Sequence, residues 1–161
     1  MNIKLTTLCY LKHDGKYLMI KKANDGGQSA GKYLGVGGKL EEGESPDECA
    51  KREIMEETGL EVLDLKLRGI ITFISDVWDN EIMFLYSAEQ LKGEFRDDCD
   101  EGELFWIDED KVLDLPAWEG DRYFLKPLLD GEDDIQLKLI YSGDRLMEVY
   151  RDGAMLLCRF V

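Results

Sequence analysis

Apolar and polar positions alternate or recur along this chain in a way that lays out most of its elements. Residues 3–11, IKLTTLCYL, are rich in β-branched and apolar types and predict a strand. His13, Asp14 and Gly15 supply a turn, and Lys16 to Lys22 the hairpin partner. Further on, Leu60 to Phe73 and Glu81 to Ser87 predict two strands joined across Ser75, Asp76, Asp79 and Asn80, with Gly69 marking a bulge or bend. Leu104 to Ile107 reads as another strand. Residues 108–129 predict two helical pieces, a short turn around Asp108 to Leu113 and a helix after Pro116 that ends near Gly131. From Ile135 to Arg151 the alternation runs on both sides of Ser142, Gly143 and Asp144, the pattern of a hairpin, and residues 152–161 form either an edge strand or a tail.

One helix is defined by its ends. Ser45, Pro46 and Glu48 make a capping box with proline in the first turn, and Thr58 with Gly59 mark the close. Between them Ala50 and Ile54 lie one turn apart and offer a small apolar stripe to a core. On the same helix Glu53, Glu56 and Glu57 stand at i, i+3 and i+4, which places them on one arc. Like charges so placed repel by about 0.2–0.5 kcal/mol per exposed pair. A divalent cation reverses the sign, and three hard oxygen ligands suit magnesium, which takes its remaining ligands from water and substrate phosphate. Taken alone, the same residues also describe a solvated acidic helix.

Composition narrows the partners. A length of 161 residues suits a single domain spanning 1–161. A net charge of −15 argues against a DNA or RNA polymer as the main partner, because phosphate-backbone binding needs clustered Lys and Arg. A small polyphosphate still fits if a metal supplies local positive charge. Cys9, Cys49, Cys99 and Cys158 are widely spaced, which predicts reduced thiols rather than a zinc site or a disulfide scaffold. No basic, apolar leader opens the chain and no run of about 18 apolar residues occurs, so a cytoplasmic protein without a membrane partner is expected.

The flanks of the helix carry more. The segment Ala23 to Gly31 is polar and glycine-rich, a loop able to close over a substrate, and Gly37 with Gly38 permit the close backbone approach that a phosphate-facing turn uses. His13, the single histidine, falls in a turn and is assigned no role. Asp97, Asp98, Asp100, Glu101 and Glu103 form a second acidic cluster, readable by itself as a solvated loop.

From Gly38, five residues lead to Glu44 and seven more to Arg52; Glu53, Ile54, Met55, Glu56, Glu57, Thr58, Gly59 and Leu60 follow without a gap. This stretch resembles the signature of the Nudix hydrolases at every specified position. The resemblance implies an α+β fold, an α/β/α sandwich with a mixed β-sheet between helices. It also implies hydrolysis of a nucleoside diphosphate linked to another group. In that family the glutamates matching Glu53, Glu56 and Glu57 hold divalent metal, usually Mg2+ with Mn2+ as a substitute, and a main-chain carbonyl near Gly38 assists. Residues matching Glu44 and Arg52 brace the loop against the helix. Lys21 aligns with a lysine that approaches the phosphates. A further carboxylate comes from a later loop as metal ligand or base, here Glu101, with Asp100 as the alternative; either Glu101 or one of the glutamates Glu53, Glu56 and Glu57 is the base.

Outside the signature the chain resembles the MutT-type branch, which includes oxidised-purine nucleoside triphosphatases. There a tryptophan matching Trp118 stacks on the base, a carboxylate matching Asp121 reads the purine edge, and Phe73 matches a ring of the pocket. The residues alone equally allow Trp118 in the core and Asp121 as a helix cap. Two departures stand out: Leu34 replaces an asparagine that contacts the purine, and Gly120 replaces a second aspartate. The expected activity is therefore a magnesium-dependent nucleoside triphosphate pyrophosphohydrolase, with oxidised purine nucleotides such as 8-oxo-dGTP as the leading substrate. An ADP-ribose or nucleotide-sugar diphosphatase is the alternative, ahead of a non-catalytic nucleotide-binding module. The expected partner is a small nucleotide, and the protein a monomer or homodimer.

Overall fold

The computed structural model describes residues 2–160. Its framework is a mixed sheet, running in the order β11-β10-β9-β5-β6-β1-β2-β3 with β8 also paired to β2. In chain order the strands are β1 (Ile3–His13), β2 (Lys16–Lys22), β3 (Tyr33–Leu34), β4 (Glu61–Val62), β5 (Lys66–Ser75), β6 (Asn80–Ala88), β7 (Leu91–Lys92), β8 (Gly102–Asp108), β9 (Ile135–Ser142), β10 (Arg145–Arg151) and β11 (Ala154–Cys158). The helices are α1 (Pro46–Thr58) and α2 (Arg122–Leu129). The two faces of the sheet bury separate cores. One holds Tyr10, Ile71, Leu85 and Leu139 with Phe124 and Leu128 of α2; the other holds Cys9, Leu11 and Tyr86 with Ala50 and Ile54 of α1. Both long central strands are therefore covered on two sides, which explains the nearly continuous apolar run from Leu8 to Leu11. Among the described residues no helix is long and apolar enough to cross a membrane.

Parallel pairing of β1 with β6 and of β5 with β9 interrupts the otherwise antiparallel sheet. The β1–β2 hairpin pairs only next to its turn, at Lys12–Tyr17 and His13–Lys16; beyond that, β2 diverges to pair with β3 and β8. The loop before α1 enters the gap this opens, with Cys9 bridging to Val36 and Thr6 to Lys39. Divergence of the hairpin thus creates room for the glycine turn beside β1.

Two expected boundaries and one expected role differ. The strand read over Leu60 to Phe73 is two strands, because the Asp64 carboxylate accepts the N–H groups of Glu89 and Gln90 and pins a turn between them. The helix expected after Pro116 begins at Arg122; Glu119–Asp121 is a tighter 3-10 turn, where Asp121 N–H reaches Trp118 O and Gly120 N–H goes to the Tyr141 hydroxyl at 2.7 Å. Finally, Asp121 makes no side-chain cap bond to α2, so the capping role is not what places it. Gly69 does lie at a register shift against β6, and β11 continues the sheet beyond β10 as an edge strand.

Candidate functional site

The geometry of α1 follows from its caps. Ser45 has extended backbone and accepts the Glu48 N–H at 3.3 Å, while its hydroxyl donates to Glu48 Oε1 at 2.9 Å. Helical phase then decides which glutamate goes where. Ala50, Ile54 and Glu57 are spaced i, i+4, i+7, so the stripe that docks the helix carries Glu57 into the protein. Glu57 is 6% exposed, with Oε2 lacking a hydrogen-bond partner. The Glu53 side chain is largely covered, whereas that of Glu56 is 59% exposed. Burial, then a hydrogen bond and the charge of Glu53, push the Glu57 carboxyl up to about 8. The structure thus brings Glu53 and Glu57 together and leaves Glu56 at the rim. Among the described residues no three potential metal donors are already gathered at metal-binding spacing.

Arg52 ties these groups to the preceding loop. Its Nε donates to Glu44 Oε1 and its Nη2 to Glu44 Oε2 at 3.1 Å, a two-pronged pair. Nη1 reaches Glu53 Oε1 at 2.9 Å and Glu56 Oε2 at 3.3 Å, and Nη2 also donates to Lys39 O. The guanidinium holds the Glu44 carboxyl down at about 2. The loop itself is seated on β1: Thr7 N–H donates to Gly38 O at 2.8 Å. A Cβ at Gly37 would lie 2.1 Å from Thr7 O, and one at Gly38 would lie 2.5 Å from the Glu53 carboxyl group. At Gly37 only glycine lets the backbone lie this close to β1, while at Gly38 any side chain would push the Glu53 carboxyl from its place.

A cavity of about 430 Å3 opens beside them, within the size range of small-ligand pockets. At one end it is lined by Glu57, Gly37, Gly38, Lys22, Lys39 and Glu101; at the other by Leu34, Phe73, Met83, Trp118, Asp121 and Glu81. Lys22 Nζ lies 3.4 Å from Glu101 Oε2 across the mouth. The loop expected to close over substrate roofs the cavity, for Asp25, Gln28, Ser29 and Ala30 line it. Trp118 Nε1 donates to Ser29 Oγ at 3.1 Å, and Lys32 Nζ sits 4.7 Å from the centre of the Trp118 ring. Edge-to-face contacts with Phe73 and Tyr141, at 5.6 and 5.0 Å between centroids, fix the indole from the other sides. Asp121 is buried with Oδ2 unpartnered, and burial pushes its carboxyl up to about 8 against the opposing pull of Lys32.

Of the expected site residues, Glu57, Glu101, Leu34, Gly37, Gly38, Phe73, Trp118 and Asp121 line the cavity, Glu44, Arg52, Glu53 and Glu56 stand behind or beside its acidic end, and Lys21 is turned away from it. It stands on the other side of β2 with Nζ 6.0 Å from the Tyr33 ring centre, and its neighbour Lys22 faces the cavity instead. Strand alternation makes the two mutually exclusive, but Tyr17 to Ile20 are all buried, so the sequence offers no polar face from which to set the phase. Lys4, Thr6, Ser29 and Glu81 also line the cavity without having been singled out. Parallel register of β1 on β6 brings Thr6 and Glu81 together from positions 75 apart in the chain, a proximity with no local signal. The Gly120 departure has a steric counterpart, since a Cβ there would lie 2.6 Å from the Tyr141 hydroxyl.

The sequence matches the family described as NUDIX domain over residues 4–128. It is 29% identical over 153 residues to an uncharacterised Nudix hydrolase, YvcI, of Bacillus subtilis, covering 92% of this chain and 94% of that protein. It is 35% identical over 120 residues to the oxidized purine nucleoside triphosphate hydrolase of Danio rerio, covering 73% and 74% respectively. The crystal structure of a MutT protein from Bacillus halodurans superposes with a TM-score of 0.83 at 30% identity, covering 92% of this chain and 97% of that one.

Proposed function

We propose, since this chain belongs to the Nudix hydrolase family, that it is a magnesium-dependent nucleoside triphosphate pyrophosphohydrolase whose leading substrates are oxidised purine nucleotides such as 8-oxo-dGTP. It is a MutT-type enzyme acting on nucleotide phosphoanhydride bonds, and the family generally uses divalent metal ions. The observation that carries the finer reading is one continuous cavity lined by Glu57, which lies against Glu53, and by Trp118 and Asp121. A nucleoside triphosphate has the same polarity, charged at one end and aromatic at the other. The relative from Danio rerio, whose name states action on oxidised purine triphosphates, supports the same choice.

The chemistry of the acidic end fits a hard divalent cation. Two carboxylates are pressed together there, one with an orphaned buried oxygen, and the Gly38 backbone abuts them without a side chain. Glu53, Glu56 and Glu57 would hold the metal, with Glu101 and the Gly38 carbonyl as further ligands. When bound, such a metal neutralises phosphate charge and acidifies a coordinated water.

The chain's own residues then divide the remaining tasks. Lys22 and Lys39 attract the polyphosphate, and the absence of a side chain at Gly37 lets the phosphates approach the backbone. Glu44 holds Arg52, and Arg52 keeps the α1 carboxylates registered against the loop, which makes both positioning residues. Either Glu101 or one of the α1 glutamates accepts the proton as water adds to phosphorus and the anhydride bond breaks, leaving a nucleoside monophosphate, pyrophosphate and one proton. Phe73 and Trp118 hold the base by aromatic contact, Leu34 by apolar contact, and Asp121 hydrogen-bonds its edge. Four free thiols, two of them buried, suit a cytoplasmic setting.

Incubation of the purified protein with Mg2+ and a panel of ordinary and oxidised nucleoside triphosphates, ADP-ribose and nucleotide sugars tests the reading. Release of monophosphate and pyrophosphate, fastest from an oxidised purine, is expected. Release of inorganic phosphate alone, or turnover confined to ADP-ribose or a nucleotide sugar, would displace it.

A further inference from the structure

At the base end of the cavity one carboxylate has no part in the functions above. Glu81, near the start of β6, turns to the same side of the sheet as Thr6 and Met83, and its side chain is only 14% exposed. The Thr6 hydroxyl donates to Oε2 at 2.7 Å, and Lys4 Nζ lies 3.7 Å from Oε1 while also donating to Gln28 of the roofing loop at 3.2 Å. Held from both ends, the carboxylate cannot swing out to solvent without breaking these contacts. Each carboxylate oxygen offers about two acceptor directions, so one donor per oxygen leaves acceptor capacity facing the cavity. The cavity it lines is also lined by Phe73, Met83, Leu34 and Trp118, and its charge is felt at Asp121. Thr6 and Lys4 compensate the charge and hold it in place, so a ligand group meets a fixed acceptor and not one that must first be ordered.

We propose that Glu81 is a specificity-determining residue. Together with Asp121 it selects purines that present an exocyclic amino group over the same rings carrying hydrogen or a carbonyl oxygen there. The inference rests on the nucleotide reading above and names a second reader of the base. An amino N–H donates to the fixed carboxylate; a carbonyl at that place sets oxygen against oxygen, and a hydrogen leaves the acceptor unpaired. Hydrogen bonds to charged groups discriminate by about 10- to 100-fold.

The test compares kcat/KM for two pairs, dGTP with dITP and ATP with ITP, in the parent and in Glu81→Gln. The same pairs are measured as monophosphates by calorimetric binding. The parent is expected to favour the amino-bearing member of at least one pair by about tenfold or more. Glu81→Gln should shrink that ratio by about tenfold, because an amide places N–H groups where only acceptors stood. Thr6→Val, which removes the orienting hydroxyl at similar volume, should shrink it less. Loss of a purely structural strand contact would lower both members of a pair alike and leave the ratio in place. A parent with no preference in either pair, or ratios within about twofold of the parent in a folded Glu81→Gln, overturns the inference. If Glu81→Gln does not fold, Thr6→Val decides by the same ratios. If no triphosphate is hydrolysed, the proposed activity falls, and the monophosphate binding ratios alone then decide the role of Glu81.

Discussion

Replacing Glu57 by Gln should stabilise the metal-free protein while removing its response to a divalent cation. In the folded protein Glu57 is 6% exposed, lies against Glu53 and titrates near 8 instead of the ordinary 4.5. A folded-state pKa above the unfolded one means that the native state binds more protons between about pH 4.5 and 8, so stability falls as pH rises through that window and the full penalty applies above it. At about 1.4 kcal/mol per pH unit, a rise from 4.5 to about 8 corresponds to a ceiling of about 5 kcal/mol. Relaxation of the Glu53 carboxylate reduces this, and a gain of about 2–5 kcal/mol for Glu57→Gln near pH 8 is expected. Gln keeps the size of the side chain and donates an N–H to Glu53. Urea unfolding with a chelator present, at several pH values from about 5 to about 8, reads the effect as a smaller decline in stability for the variant. Asp121, also raised to about 8, contributes a decline of the same sign to both proteins and cancels in the comparison. With millimolar Mg2+ in place of chelator the parent should gain stability and the variant should not. A variant no more stable than the parent near pH 8, or one whose advantage does not change with pH, would refute the reasoning.

Gly38→Ala should retain the fold but lose more than about tenfold in kcat, since its Cβ meets the Glu53 carboxyl at 2.5 Å; circular dichroism and steady-state rates separate the two effects. Arg52→Lys keeps the charge but not the two-pronged grip on Glu44, so its kcat should fall between those of the parent and Arg52→Ala; equal rates for all three would remove the positioning role. Gly120→Asp should destabilise by about 1–3 kcal/mol through its clash with Tyr141 and Leu139, measured by thermal or urea unfolding, and an unchanged stability would show that the turn yields. Asp121→Asn should lose the pH dependence of stability that the buried carboxyl contributes below about pH 8 and should alter base preference, read from kcat/KM across a purine panel.

Much of this protein is legible along the chain because the determining interactions are local. The capping box at Ser45 and Glu48, the closing Gly59, the arc of glutamates and the alternation of β1, β9 and β10 each depend on residues a few positions apart, and the spacing from Gly38 to Leu60 is enough to identify the family. What the chain by itself leaves open is how its glutamates differ. That Glu57 is buried while Glu56 is exposed depends on which face of α1 meets the sheet, and that Lys22 rather than Lys21 faces the cavity depends on the phase of a strand covered on both sides. The meeting of Thr6, Glu81 and Asp121 around one cavity likewise depends on parallel strand register and on a 3-10 turn held by Tyr141. Short-range hydrogen bonds and helical periodicity act within about one turn and can be read from neighbours, whereas burial, register and the perturbed acidities they cause are properties of packing between distant segments.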